Sequence, residues 1–263
     1  MKIMYHHSDN MKREDENPSW DQISWLSLEH LLNTSPVIAK TPITFTLFGK
    51  ETQGSLLHMV CHRNAPLYIF QSLIDIFPFA LDEKDSTTQS LPIHIACMSD
   101  LPLATIQTLV NAFPMSVNKK DKLGNIPLHI ASLVASPETA LFLLETSPKS
   151  AKSPNKSLQL PLHMACQRHV SSTILIKKFI EVYEQSPLER DSEGRIPLHY
   201  AMLWSASVET IEALIEVNPQ SVLFEDNDNH NALSFGMIAE KKLEEEGTLI
   251  QTIIRGICES EIP

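Results

Sequence analysis

The sequence predicts an all-α solenoid of about five full helix-pair repeats, closed by a helical cap at each end. Three observations predict it. First, one short motif recurs as Leu56-Leu57-His58, Pro92-Ile93-His94, Pro127-Leu128-His129, Pro161-Leu162-His163 and Pro197-Leu198-His199. Its histidines lie 36, 35, 34 and 36 residues apart, and a degenerate sixth copy follows at Ala232-Leu233-Ser234. Self-similarity at this period marks stacked helical units, none of which can bury its apolar face alone. Second, Pro36, Pro78, Pro114, Pro148, Pro187 and Pro219 each close an apolar stretch. The residues eight, five and four positions before them are Leu28/Leu31/Leu32, Phe70/Leu73/Ile74, Ile106/Leu109/Val110, Ala140/Leu143/Leu144, Phe179/Val182/Tyr183 and Ile211/Leu214/Ile215. Spacing of i, i+3, i+4 puts each apolar triad on one face of a helix. Third, turn chemistry precedes the motif and a helix-start signal follows it, most clearly between Asp121 and Glu138.

The elements follow in order. Residues 1–17 are polar and mixed in charge, hold too little apolar side chain to pack, and are expected to form a disordered tail. Residues 18–50 carry Trp20, Trp25, Leu28, Leu31 and Leu32, with Pro36 behind them. They read as a capping half-repeat, because a bare stacking face would expose apolar surface. Thr41 to Lys50 is expected to be an extended connector. Residues 51–239 hold the array. In its clearest copy, Asp121-Lys122-Leu123-Gly124 is a turn: Asp bonds its own backbone and Gly permits positive φ. Pro127 suits a first helical position, where its missing N–H is not needed. Ser136-Pro137-Glu138 opens a second helix with Ser as N-cap. Residues 240–263 begin with the charged stretch Lys241 to Gly247. Leu249, Ile250, Ile253, Ile254 and Ile257 then recur at helical spacing and predict a closing helix.

These residues resemble the ankyrin repeat, whose pattern is Asp-x-x-Gly-x-Thr-Pro-Leu-His-x-Ala followed by a second helix ending in two leucines. Pro-Leu-His-x-Ala or a close variant stands at 92–96, 127–131, 161–165 and 197–201, and the resemblance runs from about Gly54 to Ala239. The chain departs from the pattern in three ways. The Thr before Pro is Leu91, Ile126, Leu160 and Ile196, so a hydroxyl cap is absent there. The Gly-Ala after the second helix becomes Pro-x-x-Ala or a relative, as in Pro78-Phe79-Ala80-Leu81 and Pro148-Lys149-Ser150-Ala151. Several turns lack Gly, with Asn155-Lys156-Ser157-Leu158 the furthest from the pattern.

The chain holds several candidates for chemistry. His58-x-x-Cys61, His94-x-x-Cys97 and His163-x-x-Cys166 have a spacing that metal sites favour. The resemblance implies instead that the histidine orders the turn and that the cysteine fills a small core slot, held elsewhere by Ser132 and Met202. No metal or cofactor is expected. There is no Gly-rich phosphate loop, Gly-x-Ser-x-Gly or His-Glu-x-x-His, so an enzyme is not expected. The four cysteines (Cys61, Cys97, Cys166, Cys258) give no disulfide framework, and the expected setting is intracellular, cytoplasmic or nuclear. The first residues lack the apolar stretch of a signal peptide, and no window is long and apolar enough for a membrane span.

The net charge of −11 is uneven. Residues 1–110 carry 7 basic and 12 acidic residues, 111–180 carry 9 and 3, and 181–263 carry 5 and 17. Overall acidity argues against general nucleic-acid binding, which needs many phosphate contacts. The basic middle, Lys119, Lys120, Lys122, Lys149, Lys152, Lys156, Arg168, Lys177 and Lys178, leaves room for a local anionic partner.

The resemblance further implies that a partner contacts the turn tips and the first helix of each pair. Carried over copy by copy, this places Met98, Leu133, Arg168, Leu203 and Trp204 along one concave face. It places Lys122, Asn125, Gln159 and Arg195 on the turns, with Ser90, Lys156 and His230 beside them. Trp and Arg are enriched among interface hot spots. The expected function is a non-catalytic module, a monomer, that binds a protein or peptide partner. The alternatives are an adaptor that recruits a client to an enzyme complex, and a nucleic-acid-associated regulator that uses the basic middle.

Overall fold

The computed structural model describes residues 23–47, 49–168 and 172–236. The expectations for the tail 1–17, for Trp20 and for the closing helix in 240–263 lie outside the described residues.

The chain is mostly helical, with eleven α-helices and a further helical stretch at 232–236 among the described residues. Short first helices, α2 (Leu56–His62), α4 (Pro92–Met98), α6 (Pro127–Val134), α8 (Pro161–Cys166) and α10 (Pro197–Leu203), alternate with longer second helices. The second helices are α1 (Trp25–Thr34), α3 (Leu67–Ile76), α5 (Leu103–Ala112), α7 (Pro137–Thr146), α9 (Thr173–Val182) and α11 (Val208–Ile215). Packing is regular: α2, α4, α6, α8 and α10 lie side by side in that order, as do α1, α3, α5, α7, α9 and α11. The core lies between these two rows. The first helices are enclosed nearly all round. In α4 every residue from Pro92 to Cys97 is buried, which is why these segments read as apolar on all faces.

All eighteen residues of the six second-helix triads are buried or half-buried against this core. Four of the six second helices, α1, α3, α5 and α7, stop at the residue before a proline. A residue before proline is pushed out of the α region, and Ser35, Phe77, Phe113 and Ser147 all stand near φ −140° and ψ 71 to 80°. The following prolines start 3-10 turns at Pro36–Lys40, Pro78–Asp82, Pro114–Asn118, Pro148–Lys152 and Pro219–Leu223. Helix starts are as the residues dictate. Ser136 accepts the Thr139 N–H at 3.4 Å ahead of Pro137, and Ser24, Ser172 and Ser207 cap in the same way.

One expectation is corrected. The stretch read as an extended connector in an all-α chain folds into an antiparallel hairpin, β1 (Ile43–Leu47) paired with β2 (Lys50–Gly54). The cause is strict alternation. Ile43, Phe45 and Leu47 are buried, while Thr44 and Thr46 face out, and β-branched and aromatic residues suit such a half-buried ribbon. At Gly54 the backbone passes the His58 and Phe45 rings so closely that a Cβ would meet both at 3.2 Å. At the other end, Asn231 accepts the Ser234 N–H at 3.0 Å and opens a helix at 232–236, the site of the sixth motif copy.

Candidate interaction face

The candidate face is the series of turns that precede the first helices. Each turn is built on one side chain that folds back on its own backbone. Asp85 accepts the N–H groups of Thr87, Thr88 and Ser90 at 2.7 to 2.8 Å. Asp121 accepts those of Leu123 and Asn125, Asn155 those of Ser157 and Gln159, Asp191 those of Glu193 and Arg195, and Asp226 those of Asp228 and His230. This is the Asx turn repeated five times, with Asn155 doing the work of Asp. Burial pushes the Asp85 carboxyl up, but its hydrogen bonds from Thr88, Ser90 and Thr87 outweigh that and hold it below the usual range.

The motif histidines then tie turn to helix and copy to copy. In each, Nδ1 accepts the N–H three residues earlier, at Ser55, Leu91, Ile126, Leu160 and Ile196. The N-cap N–H groups of these helices are thereby satisfied without a threonine hydroxyl. With Nδ1 accepting, Nε2 carries the proton and donates it to the following turn. His58 reaches Ser90 O at 2.9 Å, His94 Asn125 O at 3.2 Å, His129 Gln159 O at 3.0 Å, His163 Arg195 O at 3.2 Å and His199 Phe224 O at 2.9 Å. Burial lowers the pKa of all five, with His94, His129 and His163 brought down to about 4. Burial also pushes the Cys97 thiol up to about 12 and raises Cys61 and Cys166. Both nitrogens of His58, His94 and His163 are engaged in hydrogen bonds, and Cys61, Cys97 and Cys166 are buried in the core, so these residues serve turn order and packing.

Successive turn tips join through backbone hydrogen bonds. The N–H groups of Ser86, Lys122, Lys156, Ser192 and Asn227 donate back to the carbonyls of Gln53, Thr88, Leu123, Ser157 and Glu193, at 2.8 to 2.9 Å. Hairpin strand β2 supplies the first of these acceptors. Cations beside the turn anchors reach the opposite way: Lys84 to Lys120 O, Lys120 to Pro154 O and Arg190 to Glu225 O.

No family model matches the chain, and no curated protein matches it significantly.

The residues singled out in the sequence fall into two groups. On the turns, Lys122 is exposed, with its Nζ 3.4 Å from Thr87 O. Asn125 is buried, donating to Asp121 and accepting from Asn155 at 3.0 Å. Half-buried Gln159 donates to the Tyr200 hydroxyl at 2.9 Å, which donates to Asp191 at 2.6 Å. Burial and that carboxylate push Tyr200 up to about 12. Arg195 pairs with Glu193 and with the buried Asp226, and lies over the Phe235 ring at 5.2 Å. The second group sits at the C-terminal ends of first helices. Met98, Leu133, Leu203 and Trp204 are half-buried there, and all but Leu133 pack on the core. Arg168 reaches back one copy to donate to Ala135 O at 2.6 Å, much as Arg63 reaches Ile23 O at 2.9 Å. Much of this polar chemistry is therefore spent inside the protein.

Two residues that the sequence reading did not single out stand free at the tips: Leu123, 65% exposed, and Leu158, 52% exposed. The signal for Leu158 is in the sequence, since it occupies the glycine position of its turn.

Proposed function

We propose that the chain is a divergent ankyrin-type repeat protein acting as a non-catalytic module that binds a protein or peptide partner on its turn tips and first helices. One observation carries this reading. The inward hydrogen bonds of the turns recur copy after copy, while the outward tip residues change from Ser86-Thr87 to Lys122-Leu123, Lys156-Ser157-Leu158, Ser192-Glu193 and Asn227-Asp228. A constant scaffold with variable exposed positions suits recognition, and a rigid one limits the ordering cost of binding. Net negative charge and the absence of bulky aromatic residues from these tips disfavour a nucleic-acid reading.

The test is a peptide-display selection on the immobilised full chain, with calorimetry on whatever is enriched. Enriched peptides should bind with 1:1 stoichiometry and compete for one face. A selection that returns nothing above a blank surface would remove the proposal. Among the helix-end residues, Trp204→Ala is expected to weaken selected peptides while leaving the fold in place. A Trp204→Ala chain that unfolds, yet binds normally per folded molecule, would assign Trp204 to packing alone.

A further inference from the structure

Turn geometry fixes only two positions in each tip: the Asp or Asn anchor, and the residue three or four places on that adopts positive φ. That second position holds Gln89, Gly124, Leu158, Gly194 and Asn229, at φ 54°, 81°, 58°, 77° and 60°. Glycine enters this region freely, whereas a bulky apolar residue there is a backbone outlier. Leu158 therefore takes a conformation that suits Gly, and turns its side chain to water rather than to the core. The neighbouring tip also turns a leucine to water, Leu123, one position before its own positive-φ residue Gly124, and the two tips are joined by the Lys156 N–H to Leu123 O bond of 2.9 Å. Each leucine has a lysine on its own turn, Lys122 and Lys156, both exposed. Among the described residues none accepts a hydrogen bond from, or pairs with, the Lys156 ammonium. The flanking tips lack this combination: Ser86 to Gln89 is uncharged, and Glu193 and Asp228 are acidic.

From this juxtaposition we propose that the adjacent tips 122–123 and 156–158 form a docking site for an acidic peptide segment that carries apolar side chains. Its apolar side chains rest on Leu123 and Leu158, and its carboxylates meet Lys122 and Lys156. Charge complementarity selects this occupant. A basic segment is repelled here, and an acidic one is repelled by Glu193 and Asp228 on the next two tips, so the segment is confined to this pair. Leucine gives a nucleic-acid base no surface to stack on, which separates the site from a single-strand binder.

The inference rests on the interaction reading above, and its test is built to fail separately. The full chain is titrated by fluorescence anisotropy against a labelled peptide of about twelve residues in which leucines alternate with glutamates. The same peptide with lysine for glutamate, the same with alanine for leucine, and a single-stranded oligonucleotide of equal charge serve as comparisons. The acidic leucine peptide is expected to bind and the other three to bind at least about tenfold more weakly. Leu158→Gly is expected to weaken binding by about tenfold or more with an unchanged or higher thermal midpoint, because Gly124 and Gly194 already stand at that turn position. Lys156→Glu is expected to weaken it comparably. The inference is overturned if the alanine peptide binds as well, if Leu158→Gly leaves affinity unchanged, or if the oligonucleotide binds equally and ignores Leu158→Gly. Displayed peptides that ignore Leu158→Gly and Lys156→Glu but lose affinity on Trp204→Ala would keep the interaction reading and remove this site. An empty selection would remove both.

Discussion

At Gly194 the backbone stands at φ +77°, and a Cβ placed there would lie 2.5 Å from Asn227 Oδ1 and 3.0 Å from Asn227 N. Gly194→Ala therefore combines a strained conformation with a collision against the next turn. It should cost about 1–3 kcal/mol in urea denaturation, and an unchanged midpoint would show that the turn yields. Leu158 is the converse case. Freed of its Cβ at φ +58°, the turn should gain up to about 1 kcal/mol, less the entropy that glycine adds to the unfolded chain. Leu109, 1% exposed in the middle of α5, is a simple core residue. Leu109→Ala should cost about 2–5 kcal/mol through lost burial and the cavity left behind. A change of a few tenths of a kcal/mol would mean that the site collapses to fill it.

The first helices depend on neutral histidine, and this gives the elements a pH limit. The sign follows from the lowered pKa values. In the unfolded chain these histidines take up a proton near pH 6.5, while the folded His94, His129 and His163 resist until about 4. Their contribution is complete above about pH 6.5 and is lost as pH falls from there toward about 4. Each adds up to about 1.4 kcal/mol per pH unit to the slope in that window. Urea midpoints measured from pH 7.5 to 5 should fall steeply, and His129→Gln should reduce proton uptake on unfolding at about pH 5.5 by roughly one. A flat profile would mean that the folded rings take up a proton as readily as the unfolded ones. Much of this level was legible in the sequence. The triads, the proline stops and the histidine register depend on local spacing, which a sequence displays directly. The hairpin 43–54 was missed although Ile43-Thr44-Phe45-Thr46-Leu47 alternates, because its partner strand is polar and shows no pattern of its own. The commitment of Arg168 to Ala135, and the burial of Asn125 between Asp121 and Asn155, depend on contacts 33 and 30 residues apart. Spacing within one copy cannot reveal them.

Across the whole molecule, packing is chiefly between neighbours. Helix α6 lies between α4 and α8, and α5 between α3 and α7. Stability in such an arrangement is the sum of each unit and its two interfaces. Amide exchange should be slowest in α4, α6 and α8 and faster in α1 and α11. Equal protection from Leu56 to Leu203 would show that the described residues unfold as one unit. No helix among the described residues is long and apolar enough to cross a membrane. The turn-to-turn bonds carry one more implication. The tips anchored at Asp121, Asn155 and Asp191 each offer forward the carbonyl two residues past the anchor and backward the N–H one residue past it, and every motif histidine looks for an acceptor one copy on. A segment such as 125–158 thus begins and ends with matching plugs and sockets. Chain length becomes a free variable: a copy excised or duplicated between equivalent turn positions leaves each backbone junction intact. What changes is which exposed tips become neighbours, together with the few side-chain contacts that cross from copy to copy, such as Asn155 to Asn125 and Arg168 to Ala135, so the order of surfaces can be rewritten by recombination with only those contacts to restore.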